Sequence, residues 1–279
     1  MARAAAAPGT DQAQAKPAVE TALITGASSG IGEALAGCFA GAGFNLVLVA
    51  RRTALLEALA ERLRGAHRIK VWVLAADLAQ PGAPAAMAAQ LRRKRVAVDV
   101  LVNCAGVLSQ GGFAAMPAGA MTGMVDLNVA GLTLMLAQFV PAMCKRGHGR
   151  VLNVASIAAF QPVPTLAVYA ATKAYVLSLT ESLAEELKAS HVTVTALCPG
   201  VTATPMLSHA ADANAALSAL PALLVGDVAD VAALGFAACL RGDVIAVPGL
   251  VNQAATAGGR LLPKWLLRRI AGLVSRRLQ

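Results

Sequence analysis

Thr25-Gly-Ala-Ser-Ser-Gly-Ile-Gly32 follows a short apolar stretch, Ala22-Leu23-Ile24, and opens a helical stretch that runs from Glu33 to Ala40. A strand, a glycine-rich turn and a helix in this order are what a dinucleotide pyrophosphate needs. Gly26 permits the tight turn, Gly30 lets backbone N–H groups come close to phosphate, and Gly32 allows close helix-to-strand contact. The anion then rests on the helix N-terminus. The spacing is G-x-x-x-G-x-G, not the G-x-G-x-x-G of most dinucleotide folds, and a glycine turn alone is weak evidence.

Working outward, short β-like runs alternate with patterns of helix length. The runs are Ala22–Thr25, Asn45–Val49, Ile69–Leu74, Val98–Asn103, Arg150–Val154, Val192–Leu197 and Val244–Val247. The simplest architecture is a single α/β domain of the doubly wound Rossmann type, a seven-stranded parallel sheet with helices on both faces. Right-handed crossovers place its functional loops at the carboxyl edge of the strands. Of the 279 residues, 57% are hydrophobic and 14% charged, which fits a sheet buried on both faces. Residues 1–18, rich in Ala, Gln and Pro, read as a disordered extension without the apolar core of a secretory signal. Residues 19–250 form the expected domain and 251–279 a C-terminal extension. Leu127–Cys144 is uncharged and nearly long enough to span a membrane. It holds Asn128, Gln138 and Pro141 between Asp126 and Lys145, and so reads as a buried or subunit-interface helix.

Five cysteines, Cys38, Cys104, Cys144, Cys198 and Cys239, are spread without a C-x-x-C pair. That suggests neither a disulfide framework nor a metal site and fits a reducing cytoplasm. The net charge of +9 is uneven: Arg260, Lys264, Arg268, Arg269, Arg276 and Arg277 lie in a C-terminal run with no acid. Leu262, Leu266, Ile270, Leu273 and Val274 recur there at helical spacing, with Trp265 near the boundary. The run is either a solvated helix face or a basic amphipathic helix that touches a partner or the anionic inner membrane surface. No motif or interleaved aromatic set accompanies the charge, so nucleic acid is not an expected partner. Residues 202–226 carry no strand pattern and one acid, Asp212, and read as a lid over a site or as a surface excursion with a short helix.

Tyr169 and Lys173 stand four residues apart in a helical pattern, so both project from one face. An ammonium beside a phenol favours the phenolate, and lowering a phenol from a pKa of about 10 by roughly three units takes about 4 kcal/mol. A close Lys and a positively charged nicotinamide would supply it, leaving a Tyr able to exchange a proton with a carbonyl or alcohol oxygen near neutral pH.

TGASSGIG, Tyr169-Ala-Ala-Thr-Lys173 and an upstream Ser156 together resemble the short-chain dehydrogenase/reductase family. The resemblance runs from Thr21 to about Val247. It implies that Ser156, thirteen residues before Tyr169, donates a hydrogen bond to the substrate oxygen, and that Asn128 supports Lys173 through a water relay. It sets Gly26, Ser28, Ser29, Gly30 and Ile31 against the dinucleotide, along with Tyr169 and Lys173. Asp77 and Leu78 resemble the adenine contact, and Asn103, Ala105 and Gly106 the strand end. Pro199, Gly200, Thr202 and Thr204 resemble the loop that holds the nicotinamide carboxamide. Cys104 departs from the family's second Asn, which implies altered packing without loss of binding. Val247-Pro-Gly-Leu-Val-Asn252 and Leu261-Leu-Pro-Lys264 further resemble the bacterial DltE-like short-chain dehydrogenases.

The strand at Asn45–Val49 ends in Ala50-Arg51-Arg52 with no acid, so Arg51 and Arg52 point to the extra phosphate of NADP(H). Apart from Asp212, the loops 107–113, 157–164 and 202–226 hold no charged side chain. They predict an apolar carbonyl or alcohol substrate, with Phe113, Phe160, Met206 and Leu207 lining its pocket and His209 within the lid. The reading is an oxidoreductase that is a homodimer or homotetramer through the helices holding Leu132–Phe139 and Tyr169–Leu183. The alternatives are a membrane-surface enzyme of lipid metabolism, acting on a 3-ketoacyl or steroid-like substrate, and a dinucleotide sensor without turnover.

Overall fold

The computed structural model describes residues 19–212, 225–261 and 269. The N-terminal extension, the middle of the expected lid at 213–224 and the expected amphipathic helix at 262–268 and 270–279 lie outside the described residues.

Seven strands form one parallel sheet: β1 (Thr21–Thr25), β2 (Asn45–Ala50), β3 (Val71–Ala75), β4 (Val100–Asn103), β5 (Gly149–Val154), β6 (Val192–Leu197) and β7 (Ile245–Ala246). All seven fall on runs read from the sequence, with ends moved by one or two residues. Strands covered on both faces carry continuous apolar runs because neither face meets water. Every residue of β1 and β4 is accordingly buried.

The strand order is β3-β2-β1-β4-β5-β6-β7. The chain winds outward from β1 through β2 to β3, then crosses back to start β4 on the other side of β1. That reversal opens a crevice beyond the carboxyl ends of β1 and β4. One face of the sheet is covered by α1 (Gly30–Gly41), α2 (Thr53–Ala66) and α8 (Val228–Arg241), with Phe39 meeting Phe44 and Phe236 edge to face. The other face is covered by α3 (Ala83–Arg93), α5 (Leu132–Arg146) and α6 (Ala167–Glu186). Helix α4 (Ala118–Val125) leads into α5 through a π-helical turn, Asp126–Gly131. The helical run Ala118–Arg146 is apolar and long enough to cross a membrane, but Met124, Met135, Phe139 and Met143 along it are buried in the domain. These residues pack it into the domain, as the buried alternative of the sequence reading has it.

The expected lid begins as α7 (Pro205–Asp212), and its two ends are pinned together. Thr202 pairs with Gly226, whose N–H donates to Val201 O at 2.8 Å. A further helix, α9 (Leu250–Leu261), packs on the turn at Ile157–Phe160.

Candidate active site

The end of β1 is locked to the end of β4 by one hydroxyl. Thr25 Oγ1 donates to Val102 O (3.2 Å) and accepts from the N–H groups of Cys104 (2.9 Å) and Ala105 (3.0 Å). The glycine turn that follows is packed too tightly for side chains. Gly26 adopts φ +68°, and a Cβ there would lie 2.9 Å from the backbone of Ala105. A Cβ on Gly32 would lie 2.4 Å from Gly26 O, so helix α1 rests directly on the turn. The first backbone amides of α1 thus border an open crevice, the arrangement that binds a pyrophosphate. The spacing argument for Gly26 and Gly32 survives in atomic detail.

At the edge of this turn Arg52 reaches back from the end of β2. Its guanidinium donates to Ser28 Oγ at 2.9 Å and to Ser29 Oγ at 2.8 Å. A guanidinium and two hydroxyls converge there in solvent, a donor set suited to a phosphate monoester. With the glycine cradle, the residues present fit a phosphorylated dinucleotide.

The crevice is one cleft of about 490 Å³. Its lining brings together Gly26, Ser28, Ser29, Gly30, Ile31, Arg51, Arg52, Asp77, Leu78, Ala105 and Gly106 with Ser156, Tyr169, Lys173, Pro199, Gly200, Thr202 and Thr204. Two of the residues read from the sequence are elsewhere. Asn103 is buried beneath the floor, where its amide donates to Asn153 Oδ1 (2.9 Å), and Asn153 donates in turn to Thr180 Oγ1 (2.9 Å). This polar chain ties β4 and β5 to α6, the elements around the Ser156, Tyr169 and Lys173 side chains. Asn128 is also buried, in the π-helical turn. Its side chain accepts from Val107 N and donates to Val107 O (both 2.9 Å) and to Thr172 Oγ1 (3.2 Å). It thereby clamps the loop after β4 to α6, one residue from Lys173, and a Cβ on Gly106 would sit 3.3 Å from its Oδ1 and 3.6 Å from Lys173 Nζ.

Lys173 Nζ donates to Val154 O at 2.8 Å and lies 5.7 Å from the centre of the Tyr169 ring. Burial lowers its pKa to about 8, with the thiols of Cys104 and Cys198 acting in the opposite direction. Burial raises the Tyr169 phenol, and a hydrogen bond with Ser156 works against that rise. The residues of the cleft alone therefore do not produce the lowering expected from Lys173 together with a charged nicotinamide. Burial is the larger influence on the phenol and favours its neutral, proton-donating form. Cys104, at the position of the missing Asn, is driven by burial to about 12 and is a neutral thiol in the cleft wall.

Two pocket residues are also corrected. Phe113 is exposed on a separate concavity beside Val125, Val129 and Val168, and Phe160 packs on the core beneath the sheet. The apolar end of the cleft is made instead by Val107, Leu108, Val163 and Leu166, joined by Met206 and Leu207 as expected. The His209 and Asp212 side chains lie outside the described residues. Sequence reasoning missed Thr25, Asn153 and Asn252, whose side chain packs against Gly200 so closely that a Cβ there would come within 2.6 Å. Thr25 stands inside the glycine motif and Asn252 closes the Val247-Pro-Gly-Leu-Val-Asn252 stretch, though neither stretch announces the contact its side chain makes, and nothing local marks Asn153.

A family model described as short chain dehydrogenase matches residues 20–215. The oxidoreductase UcpA of Escherichia coli K12 is 38% identical over 189 residues, 67% of this chain and 71% of the relative. A short-chain dehydrogenase from Sphingobium yanoikuyae, solved in complex with NADPH, is 35% identical with a TM-score of 0.78, over 87% of this chain and 93% of that one. The bulky-bulky ketone specific alcohol dehydrogenase from Comamonas testosteroni is 31% identical with a TM-score of 0.73, over 88% and 96%.

Proposed function

The chain belongs to the short chain dehydrogenase family, and from that membership we propose that it is an NADP(H)-dependent oxidoreductase interconverting a ketone or aldehyde and an alcohol, with an apolar substrate. The observation that carries this is the meeting of Ser156, Tyr169 and Lys173 in one cleft with the glycine turn and Arg52. Bound NADP(H) supplies or accepts the hydride at the nicotinamide. The turn from Gly26 to Gly32 would hold the pyrophosphate, Arg51, Arg52, Ser28 and Ser29 the 2′-phosphate, and Asp77 and Leu78 the adenine.

The chain's own chemistry is proton transfer. In reduction Tyr169 Oη gives its proton to the substrate oxygen while Ser156 Oγ donates a hydrogen bond to the same oxygen as negative charge develops there. Lys173 holds the nicotinamide ribose and eases recovery of the proton, and Asn128 holds the loop and helix on either side of it. The residues 202–226 act as the lid. The apolar cleft end, and the bulky ketones named for the Comamonas relative, support a neutral hydrophobic substrate. The exposed Phe113, Val125 and Tyr175 near α4 and α6 support a homodimer or homotetramer on that face. The five free cysteines support the cytoplasm, and the basic charge at 260–277 supports contact with the inner membrane surface.

Ketone reduction measured with NADPH and NADH, in wild type and in a protein carrying both Arg51→Ala and Arg52→Ala, tests the cofactor assignment. Charge-assisted hydrogen bonds contribute about 1.5–3 kcal/mol each, so losing two should lower kcat/KM for NADPH by about 10²-fold or more. Efficiency with NADH should stay unchanged. Equal losses with both cofactors would overturn the assignment.

A further inference from the structure

The substrate end of the cleft contains a polar side chain that the proposed chemistry does not use. Gln110, on the loop after β4, lines the cleft among Val107, Leu108, Val163 and Leu166. Its Nε2 donates to Thr165 Oγ1 at 3.5 Å, the outer limit of a hydrogen bond, and its Oε1 is buried with no partner. Among the described residues, Asn103, Thr193 and Thr195 also hold such an atom, and none of the three lines the cleft. A buried acceptor without a partner is costly and calls for an explanation.

Thr165 is itself unusual. It adopts φ +66°, a left-handed conformation that β-branched residues avoid, while its carbonyl accepts from Gly111 N at 2.9 Å. Backbone strain of this kind persists where the surroundings hold it, and it clusters at ligand clamps. Here it fixes the loop before α6 against the loop after β4 and sets Thr165 Oγ1 beside the amide of Gln110. Rotating the amide by half a turn would let Thr165 donate to Oε1 and leave Nε2 unpaired. In either orientation one end of the amide lacks a protein partner. Of residues 157–166 that line the cleft, Gln161 is polar and exposed, whereas Ile157, Ala158, Val163 and Leu166 are apolar.

We propose that Gln110 is a specificity-determining residue that hydrogen-bonds a second, neutral oxygen on the substrate, so that the preferred substrate is a hydrophobic ketone bearing a hydroxyl group. A hydroxyl donates and accepts at once and satisfies either orientation of the amide. A carboxylate does not fit, because the apolar lining offers it no partner charge. This inference rests on the carbonyl-reductase reading of the same cleft and narrows its substrate class.

The test uses pairs of neutral hydrophobic ketones identical except for one hydroxyl, placed at successive distances from the carbonyl. For at least one pair, wild type with NADPH should favour the hydroxylated member in kcat/KM by about tenfold or more. Gln110→Met should abolish that preference, with the larger loss in kcat/KM falling on the hydroxylated member. Gln110→Ala gives the same comparison if methionine packs badly. A preference that survives both variants, or equal rates for every pair in wild type, would overturn the proposal. Calorimetric binding of the same pairs to protein loaded with NADP reads the contact without turnover. Preferential binding of hydroxyketones without any reduction would contradict the reductase reading while upholding Gln110. No preference in binding would refute Gln110 whatever the turnover.

Discussion

Tyr169→Phe should lower NADPH-dependent ketone reduction by at least about 10²-fold, the lower bound for a positioned general acid. The variant removes only the hydroxyl. The ring is buried against Met124, Ala158 and Ala170, and phenylalanine keeps those contacts, so the fold and dinucleotide binding should be retained. Burial favours the neutral phenol, against the hydrogen bond with Ser156, and a neutral phenol is a proton source in the reductive direction. Stopped-flow reduction together with NADPH titration checks both halves. Normal turnover would show that the proton comes from another group, and loss of NADPH binding would show that Tyr169 serves the cofactor before the substrate.

Lys173→Met should abolish most turnover yet make the protein without added dinucleotide more stable at neutral pH. The ammonium is buried, and burial lowers its pKa from 10.5 to about 8. At about 1.4 kcal/mol per pKa unit, holding that charge costs folding up to roughly 3 kcal/mol. The loss of the bond to Val154 O removes part of the gain, which leaves about 1–2 kcal/mol. Between about pH 8 and 10.5 the unfolded chain keeps a proton that the folded chain has released, so wild-type stability rises with pH across this window. The methionine variant should lack that rise. Urea unfolding at pH 7 and pH 10 checks the sign, and a variant less stable than wild type at pH 7 would show that Lys173 is structural.

The strands and the glycine turn were legible because their signals are local. A sheet buried on both faces demands unbroken apolar runs such as residues 46–50 of β2, and Gly32 is required by contact with a residue only six positions away. The grouping of Ser156, Tyr169 and Lys173 was legible through motif spacing, since strand ends and a helix face position them together. What the sequence left hidden depends on the tertiary surroundings. The π-helical turn around Asn128 adds one residue to a helical repeat without changing the apolar pattern, and the sign of the Tyr169 shift depends on burial. Sequence position alone puts Phe113 and Phe160 on loops at the carboxyl edge of the sheet, but the directions in which their side chains turn set Phe113 on a separate concavity and Phe160 against the core. Pro164 announces a turn, closed by Leu166 N donating to Val163 O, but the residue at its positive-φ position is Thr165 where glycine is the usual choice, and the hydrogen bonds linking Asn103, Asn153 and Thr180 join residues up to 50 positions apart.

The central claim is that this cleft moves a hydride and a proton onto a neutral carbonyl. The most direct measurement is mass spectrometry of the product formed from a hydrophobic ketone and NADPH deuterated at the transferable position of nicotinamide C4. The predicted result is the alcohol with one deuterium on its carbinol carbon, formed by wild type and suppressed in Tyr169→Phe. NADPH bound tightly across a broad panel of ketones, with no labelled alcohol from any of them, would contradict the claim and identify the protein as a dinucleotide-binding module.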